Sequence, residues 1–377
     1  MAGVYIHIPF CKKACYYCDF HFTTNAKYHD RMVDAICTEI SLKKDVLQSI
    51  NPTTIYFGGG TPSILNKDQF NKIFDALDRY IDFDLIEECT IEANPDDIQL
   101  TLLNDLKKTP ITRFSIGIQS FHDDELQLMN RAHSSKEAIN SIHMIKEAGF
   151  NSFTLDLIYG MPNSNDEKWL KNIRQAIQLE PDHLSAYCLT IEKNTVLDNW
   201  LKKGRLDQIP DELGIRQFKL LIEELSNVGY EHYEISNFAK KGKRAIHNAN
   251  YWQGKDYIGI GPSAHSYSQQ SKGRSWNIAH NIKYMESIED GRVPEEVESL
   301  SIIDQVNEYI MIRLRTKEGL VFDELNALFG AQHLQAIKSN INLIDKDLFV
   351  LTAQSFSLNV EGKLVSDQII RDLFVEE

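Results

Sequence analysis

The strongest constraint on what this chain can fold into is an alternation that runs from residue 3 to about 190. Short β-branched or apolar runs at 4–8, 54–57, 89–93, 113–118, 153–159 and 183–189 read as strands. Between them lie segments of helical period near 28–48, 67–80, 97–108, 123–130, 135–148 and 166–179. Repeated strand–helix units build a parallel sheet with crossover helices, and six of them bend into a partial barrel. Barrels of this class carry their active residues at the carboxyl ends of the strands. The expected fold is therefore α/β, a partial (β/α)6 barrel whose gap admits a large substrate.

Polar residues and glycines collect at all six strand ends. The first strand runs into Cys11-Lys12-Lys13-Ala14-Cys15-Tyr16-Tyr17-Cys18-Asp19-Phe20. Three thiols in eight residues cannot all pair as disulfides, but they can converge on one soft metal centre. Zinc sites usually bring their ligands as two spaced pairs, so C-x3-C-x2-C is an unusual zinc spacing. A Cys3His zinc site completed by His7 or His21 is the plain alternative. The second strand runs into Gly58-Gly59-Gly60-Thr61-Pro62-Ser63, where missing side chains let backbone groups approach a small charged ligand. A tight turn alone would also use such glycines. The third strand ends in Glu92-Ala93-Asn94, and the fourth alternates Ser115, Gly117 and Gln119 with apolar neighbours, leaving one face available. Arg131 follows, readable as a site cation or as a solvated helix end. Asp156 lies inside the apolar fifth run, where a carboxylate must face the barrel mouth or find an ionic partner. The sixth run offers only small groups, with Thr190 at its end.

Residues 211–228 form an amphipathic helical pattern and 229–239 resemble a returning strand. The segment His247-Asn248-Ala249-Asn250-Tyr251-Trp252 follows, and then a glycine-punctuated loop leading to His265. Histidine beside Tyr and Trp suits a flat aromatic ligand carrying an axially ligated metal, although a core histidine would look the same. From about 300 the pattern becomes helices at 302–316, 321–329 and 331–342, a hairpin at 348–360 and a helix near 364–375. This is a small, mainly α, winged-helix-like domain. Residues 300–377 hold 7 basic and 12 acidic side chains, so the segment reads as a lid or protein-contact module rather than a DNA reader.

The whole chain carries a net charge of −14, which argues against nucleic acid as a partner because phosphate binding needs a basic face. No run of about 18 apolar residues occurs, so no spanning membrane segment is expected, and the N-terminus lacks signal-peptide character. A cytoplasmic protein is expected. Cys37, Cys89 and Cys188 sit in apolar runs and read as core residues.

The cysteine spacing, the GGGTPS run after strand two and the HNxxYW pattern at 247–252 together resemble the radical S-adenosylmethionine (radical SAM) superfamily. Within it the chain is most similar to the oxygen-independent coproporphyrinogen III oxidase-like group, and there to the HemW-type heme chaperones. The resemblance implies a [4Fe-4S] cluster on Cys11, Cys15 and Cys18, with a fourth iron open to the amino and carboxylate groups of SAM. In the family, an electron from the reduced cluster splits the sulfonium and releases a 5'-deoxyadenosyl radical. It further implies that Tyr5, Tyr17, Phe20, Gly59, Gly60, Thr61, Glu92, Gln119, Arg131 and Asp156 contact SAM, with Asn94 assisting. Tyr16, Tyr17 and Phe20 would shield the cluster. His247, Asn248, Tyr251 and Trp252 would contact heme. The domains implied are 1–240 for the barrel, 241–298 for a heme-associated connecting region and 299–377 for the C-terminal domain. Implied partners are heme or porphyrin, heme-accepting respiratory proteins and a reductant for the cluster. The competing reading is the oxidase itself, converting propionates to vinyls. Its motif carries a fourth cysteine two residues beyond the third, where this chain has Phe20, and its cysteines follow a longer N-terminal extension.

Overall fold

The computed structural model describes residues 2–376. The six expected strands are present as β1 (Gly3–Ile8), β2 (Thr54–Gly59), β3 (Glu88–Ala93), β4 (Arg113–Gln119), β5 (Ser152–Tyr159) and β6 (His183–Cys188), each parallel to the next. Helices close every crossover between them. The expected 28–48 helix is two, His29–Leu42 and Lys44–Ile50, broken at Lys43, and the expected 97–108 helix shortens to Leu100–Leu106 after a turn of 3-10 helix.

Alternation along these strands separates two chemistries. Val4, Ile6, Ile8, Ile55, Phe57, Cys89, Ile91, Phe114, Ile116 and Leu155 point outward and are fully buried beneath the helices. The opposite face carries Tyr5, Tyr56, Glu92, Arg113, Ser115, Asp156, His183 and Ser185. One side of the sheet thus supplies the hydrophobic core while the other is a polar barrel lumen.

Six strands are not the whole sheet. After β6 come the short β7 (Glu231–His232) and β8 (Asn237–Ala239), both antiparallel to their neighbours. On the other edge, β9 (Tyr257–Ile260) pairs parallel to β1, and β10 (His265–Ser268), β11 (Gly273–Asn277) and β12 (Glu295–Ser299) continue antiparallel. The order is β12-β11-β10-β9-β1-β2-β3-β4-β5-β6-β8-β7, an open twelve-stranded sheet whose two edges do not pair. Residue 240 is therefore not a boundary of the sheet: the expected connecting region contributes four strands to it. Glu39, on the His29–Leu42 helix and fully buried, fastens this extension. It accepts hydrogen bonds from the Gly261 N–H at 2.7 Å, Asn277 Nδ2 at 2.6 Å and the Tyr284 hydroxyl, and pairs with Lys43 Nζ at 2.9 Å.

The C-terminal segment has its own apolar core, running from Val306 to Val375. Its helices Ile302–Leu314 and Phe322–Ile341 pack with a three-stranded antiparallel sheet, β13 (Leu320–Val321), β14 (Phe349–Leu351) and β15 (Ser355–Leu358), in the order β13-β15-β14. The Phe322–Ile341 helix is kinked at Gly330, whose φ of 85° is left-handed, so the expected division into 321–329 and 331–342 has a backbone cause. The last expected helix is the pair Val360–Leu364 and Ser366–Leu373.

Candidate functional site

The loop after β1 is closed at its base, where the Cys11 N–H donates to the Thr23 carbonyl and the Thr23 N–H to that of Pro9. Its far side is pinned to two neighbours: the Tyr16 N–H donates to the Met129 carbonyl and the Leu197 N–H to that of Tyr16. The Tyr16 ring also meets Trp200 edge to face at 5.0 Å. Cys11, Cys15 and Cys18 are free, half-buried thiols on this loop. Burial raises the Cys11 thiol and pushes that of Cys18 up to about 11, so both need an electropositive partner to ionise.

Donors to these sulfurs are already in position. The Thr61 hydroxyl lies 3.5 Å from Cys11 Sγ and Arg131 Nη1 lies 3.3 Å from Cys15 Sγ. Asn94 links the two, donating from Nδ2 to Thr61 at 3.1 Å and accepting from Arg131 Nη2 at 2.5 Å. The same Nη2 donates to the Gly117 carbonyl at 2.7 Å. Arg131 is thus an integral member of the mouth and not a solvated helix-end cation. Its Nε is buried and unpartnered, a donor of the kind a ligand carboxylate accepts. Among the described residues no three His, Cys, Asp or Glu groups gather as ligands of a single ion. A four-iron cluster takes one thiolate at each of three corners and requires no such convergence. His7 is not a ready fourth ligand, because its ring nitrogens face the His21 carbonyl at 2.9 Å and the Tyr5 hydroxyl at 3.2 Å.

The glycine loop abuts the cysteine loop. Gly59 has φ 103°, and a Cβ there would lie 2.5 Å from the His7 ring; a Cβ on Gly60 would lie 2.6 Å from the Phe10 carbonyl oxygen. The N–H groups of Gly59, Gly60 and Thr61 are taken by Glu92, Ile8 and Phe10. What this loop offers a ligand is therefore carbonyl oxygen, which suits a cation. Beneath it, Glu92 accepts from the Tyr56 hydroxyl at 2.9 Å, and Asp156 accepts from the Ser115 hydroxyl at 3.1 Å. Both carboxylates, with Tyr5, border a lumen cavity of about 240 Å³. Burial raises Glu92 to about 7 and Asp156 to about 6, the latter despite the nearby positive charges of Arg113 and Arg131. Gln119 ends β4 at φ 66°, where the pairing with β5 slips, and its amide curls back toward Gly117 beside Arg131.

Several expectations are corrected by the geometry. The Phe20 side chain is 70 % exposed, while its backbone hydrogen-bonds to the Cys18 thiol. Thr190 is exposed and does not line the lumen. Cys188, at the carboxyl end of β6 above the packed layer, is exposed rather than core, and Cys37 is only half-buried; Cys89 alone is fully buried. His247 is enclosed by hydrogen-bond partners on both ring nitrogens. It is 2 % exposed, its Nδ1 lies 2.8 Å from Thr54 Oγ1 and its Nε2 lies 2.8 Å from the Tyr251 hydroxyl, and its ring stacks on Tyr56. The N–H groups of Ile246 and His247 are clamped by the Glu88 carboxylate at 2.9 Å each. His247, Asn248 and Tyr251 thereby close the floor of the lumen, and burial holds the imidazole neutral, down to about 3. Trp252 faces elsewhere, into a second cavity.

A profile of the radical SAM superfamily matches residues 5–176, the span holding the cysteine loop, the glycine loop, Glu92, Arg131 and Asp156. The chain is 31% identical to the heme chaperone HemW of Bacillus subtilis, over 98% of each chain. It is 32% identical to the heme chaperone HemW of Haemophilus influenzae, over 100% of this chain and 98% of that one. The chain belongs to the HemW family. Its fold is also that of the radical SAM enzyme coproporphyrinogen III oxidase (HemN) from Escherichia coli, at a TM-score of 0.85 and 22% identity over 99% of this chain and 90% of that one.

Reading by residue type missed how much of this HemW-family mouth depends on Asn94, the one side chain that joins the Thr61–Cys11 and Arg131–Cys15 contacts. Tyr56, Arg113 and His183 also escaped, although strand alternation puts Tyr56 in step with Gly58, Arg113 with Ser115, and His183 with Ser185, on the lumen face.

Proposed function

We propose that this protein is a heme chaperone with a radical SAM core: it binds heme and passes it to acceptor proteins such as respiratory enzymes. The observation that carries this reading is similarity along essentially the entire chain to relatives named as heme chaperones. The likeness to the oxidase at 22% identity speaks for the fold and does not favour decarboxylase chemistry.

In this reading Cys11, Cys15 and Cys18 hold a [4Fe-4S] cluster, and SAM occupies the mouth between Arg131, the carbonyls of Gly59 and Gly60, and the carboxylates of Glu92 and Asp156. Bound there, the pair supplies one-electron chemistry at the sulfonium. The protein's own part is to orient and to desolvate. Arg131 takes a ligand carboxylate while donating to Cys15, Glu92 and Asp156 receive positive charge, and Thr61 steadies Cys11. The free state of all six cysteines supports a reducing, cytoplasmic setting as part of the proposal.

The reading is tested by anaerobic incubation of the reconstituted protein with coproporphyrinogen III, SAM and a reductant, followed by porphyrin analysis. We expect no protoporphyrinogen IX above the level of a Cys15→Ala control. Efficient conversion by the wild type would replace the chaperone with an oxidase.

A further inference from the structure

The second cavity has no role in the SAM mouth. It measures about 750 Å³ and lies where the end of the Ile246–Trp252 helix meets the C-terminal domain. Its volume falls within the roughly 300–1,000 Å³ usual for ligand and cofactor sites. One wall is aromatic and aliphatic, made by Trp252, Tyr267, Tyr309, Ile312, Leu328 and Phe329, and most of the remaining lining is polar or charged. On the helix Ile302–Leu314, residues 302, 305, 309 and 312 recur at the spacing that puts them on one face, and that face is turned to the cavity. Leu328 is 61 % exposed and Ile302 45 % exposed, although both belong to this wall. Two large aliphatic side chains left in water beside an aromatic slab mark a surface that an apolar ligand would cover.

The polar groups of the cavity narrow the ligand class. Arg244 is paired with Glu318 at 2.9 Å and Arg313 with Glu324 at 3.3 Å, so these charges are already balanced. Lys255 and Lys272, on the same lining, have no acidic partner among the described residues. The Trp252 ring lies on the inner wall, with its Nε1 enclosed and without an acceptor among the described residues. Glu308, also on the lining, is paired with Arg274, so the lysines are what the lining leaves for the carboxylates of a flat ligand whose body lies on the apolar wall. No His, Cys or Met lines the cavity; its metal-ligating side chains are phenols and carboxylates.

We propose that this cavity, and not the lumen behind His247, is where heme is carried, with its macrocycle between Trp252 and the Tyr309–Leu328 wall and its propionates toward Lys255 and Lys272. The inference rests on the chaperone reading and adds a location to it. It also gives the HNxxYW segment two duties: His247, Asn248 and Tyr251 close the barrel floor, while Trp252 reaches the cargo.

The test is hemin titration of the full-length protein, read by Soret absorbance and by quenching of tryptophan fluorescence. Leu328→Glu and the double variant Lys255→Glu/Lys272→Glu alter side chains that the fold does not depend on, and thermal melts verify that both remain folded. Each is expected to raise the Kd for hemin roughly tenfold or more. Wild-type-like affinity in both variants would overturn the location while leaving the chaperone reading in place. Failure of the wild-type protein itself to bind hemin would overturn the chaperone reading and the location together.

Discussion

At the scale of single residues, Glu92 and Asp156 are carboxylates buried in the lumen and shifted by that burial. Glu92 and Asp156 have folded values of about 7 and about 6, against roughly 4.3 and 3.9 in an unfolded chain. Between these limits the native state binds more protons than the unfolded one. The free protein therefore loses stability as pH rises from about 4 to about 7, and the loss is complete above the folded values. A cation seated beside them favours the charged forms. SAM binding should then strengthen as pH rises through about 6 to 7 and release protons as it does so. Calorimetry in buffers of different ionisation enthalpy checks both effects, and Glu92→Gln should flatten the pH dependence. A wild-type affinity that is constant across this range would contradict the assignment. These two carboxylates were legible in the sequence because an acidic residue inside an apolar run has few places to point. Asn94 was less so, since an asparagine before a proline also reads as an ordinary turn.

At the scale of elements, Glu39 shows how one side chain decides whether β9–β12 stay on the barrel. It meets Gly261, Asn277, Tyr284 and Lys43 in a region without water access. Glu39→Ala would leave the Lys43 ammonium buried without its nearest countercharge and is expected to destabilise the protein by about 3–5 kcal/mol. Glu39→Gln should lose less, since it keeps part of the hydrogen-bond set. Denaturant unfolding measures both, and a loss below about 1 kcal/mol for the alanine variant would contradict a clamp. The strands that Glu39 secures were the least legible part of the fold. β1–β6 are apolar on one face and followed by helices of the right length, so the periodicity declares them. β12 is Glu295-Glu296-Val297-Glu298-Ser299 and fully exposed, and β10 is His265-Ser266-Tyr267-Ser268. Neither carries an apolar stripe, and both become strands because a neighbouring edge offers backbone partners. The Gly330 kink was legible for the opposite reason, since a glycine within a helical pattern has a direct backbone meaning.

At the scale of the whole molecule, two cavities differ in chemistry. The lumen of the parallel sheet is polar and ringed by the cysteine and glycine loops, whereas the junction with the C-terminal domain has one aromatic and aliphatic wall, with unpaired lysines at its edge. The former was anticipated from strand ends. The latter was not, because it is assembled from residues 233–329 that meet only once the sheet extension and the C-terminal helices are in place. His247 and Trp252 lie on one short helix, and the turn between them separates the two environments. Passage of heme through this molecule is tested most directly by transfer. Heme-loaded protein is mixed with the heme-free form of a respiratory heme protein, the two are separated by size, and heme is quantified in the acceptor against free hemin at equal concentration. The account predicts that heme leaves the chaperone and fills the acceptor in its native spectral form. Heme that stays bound, or an acceptor filled no better than by free hemin, would contradict it.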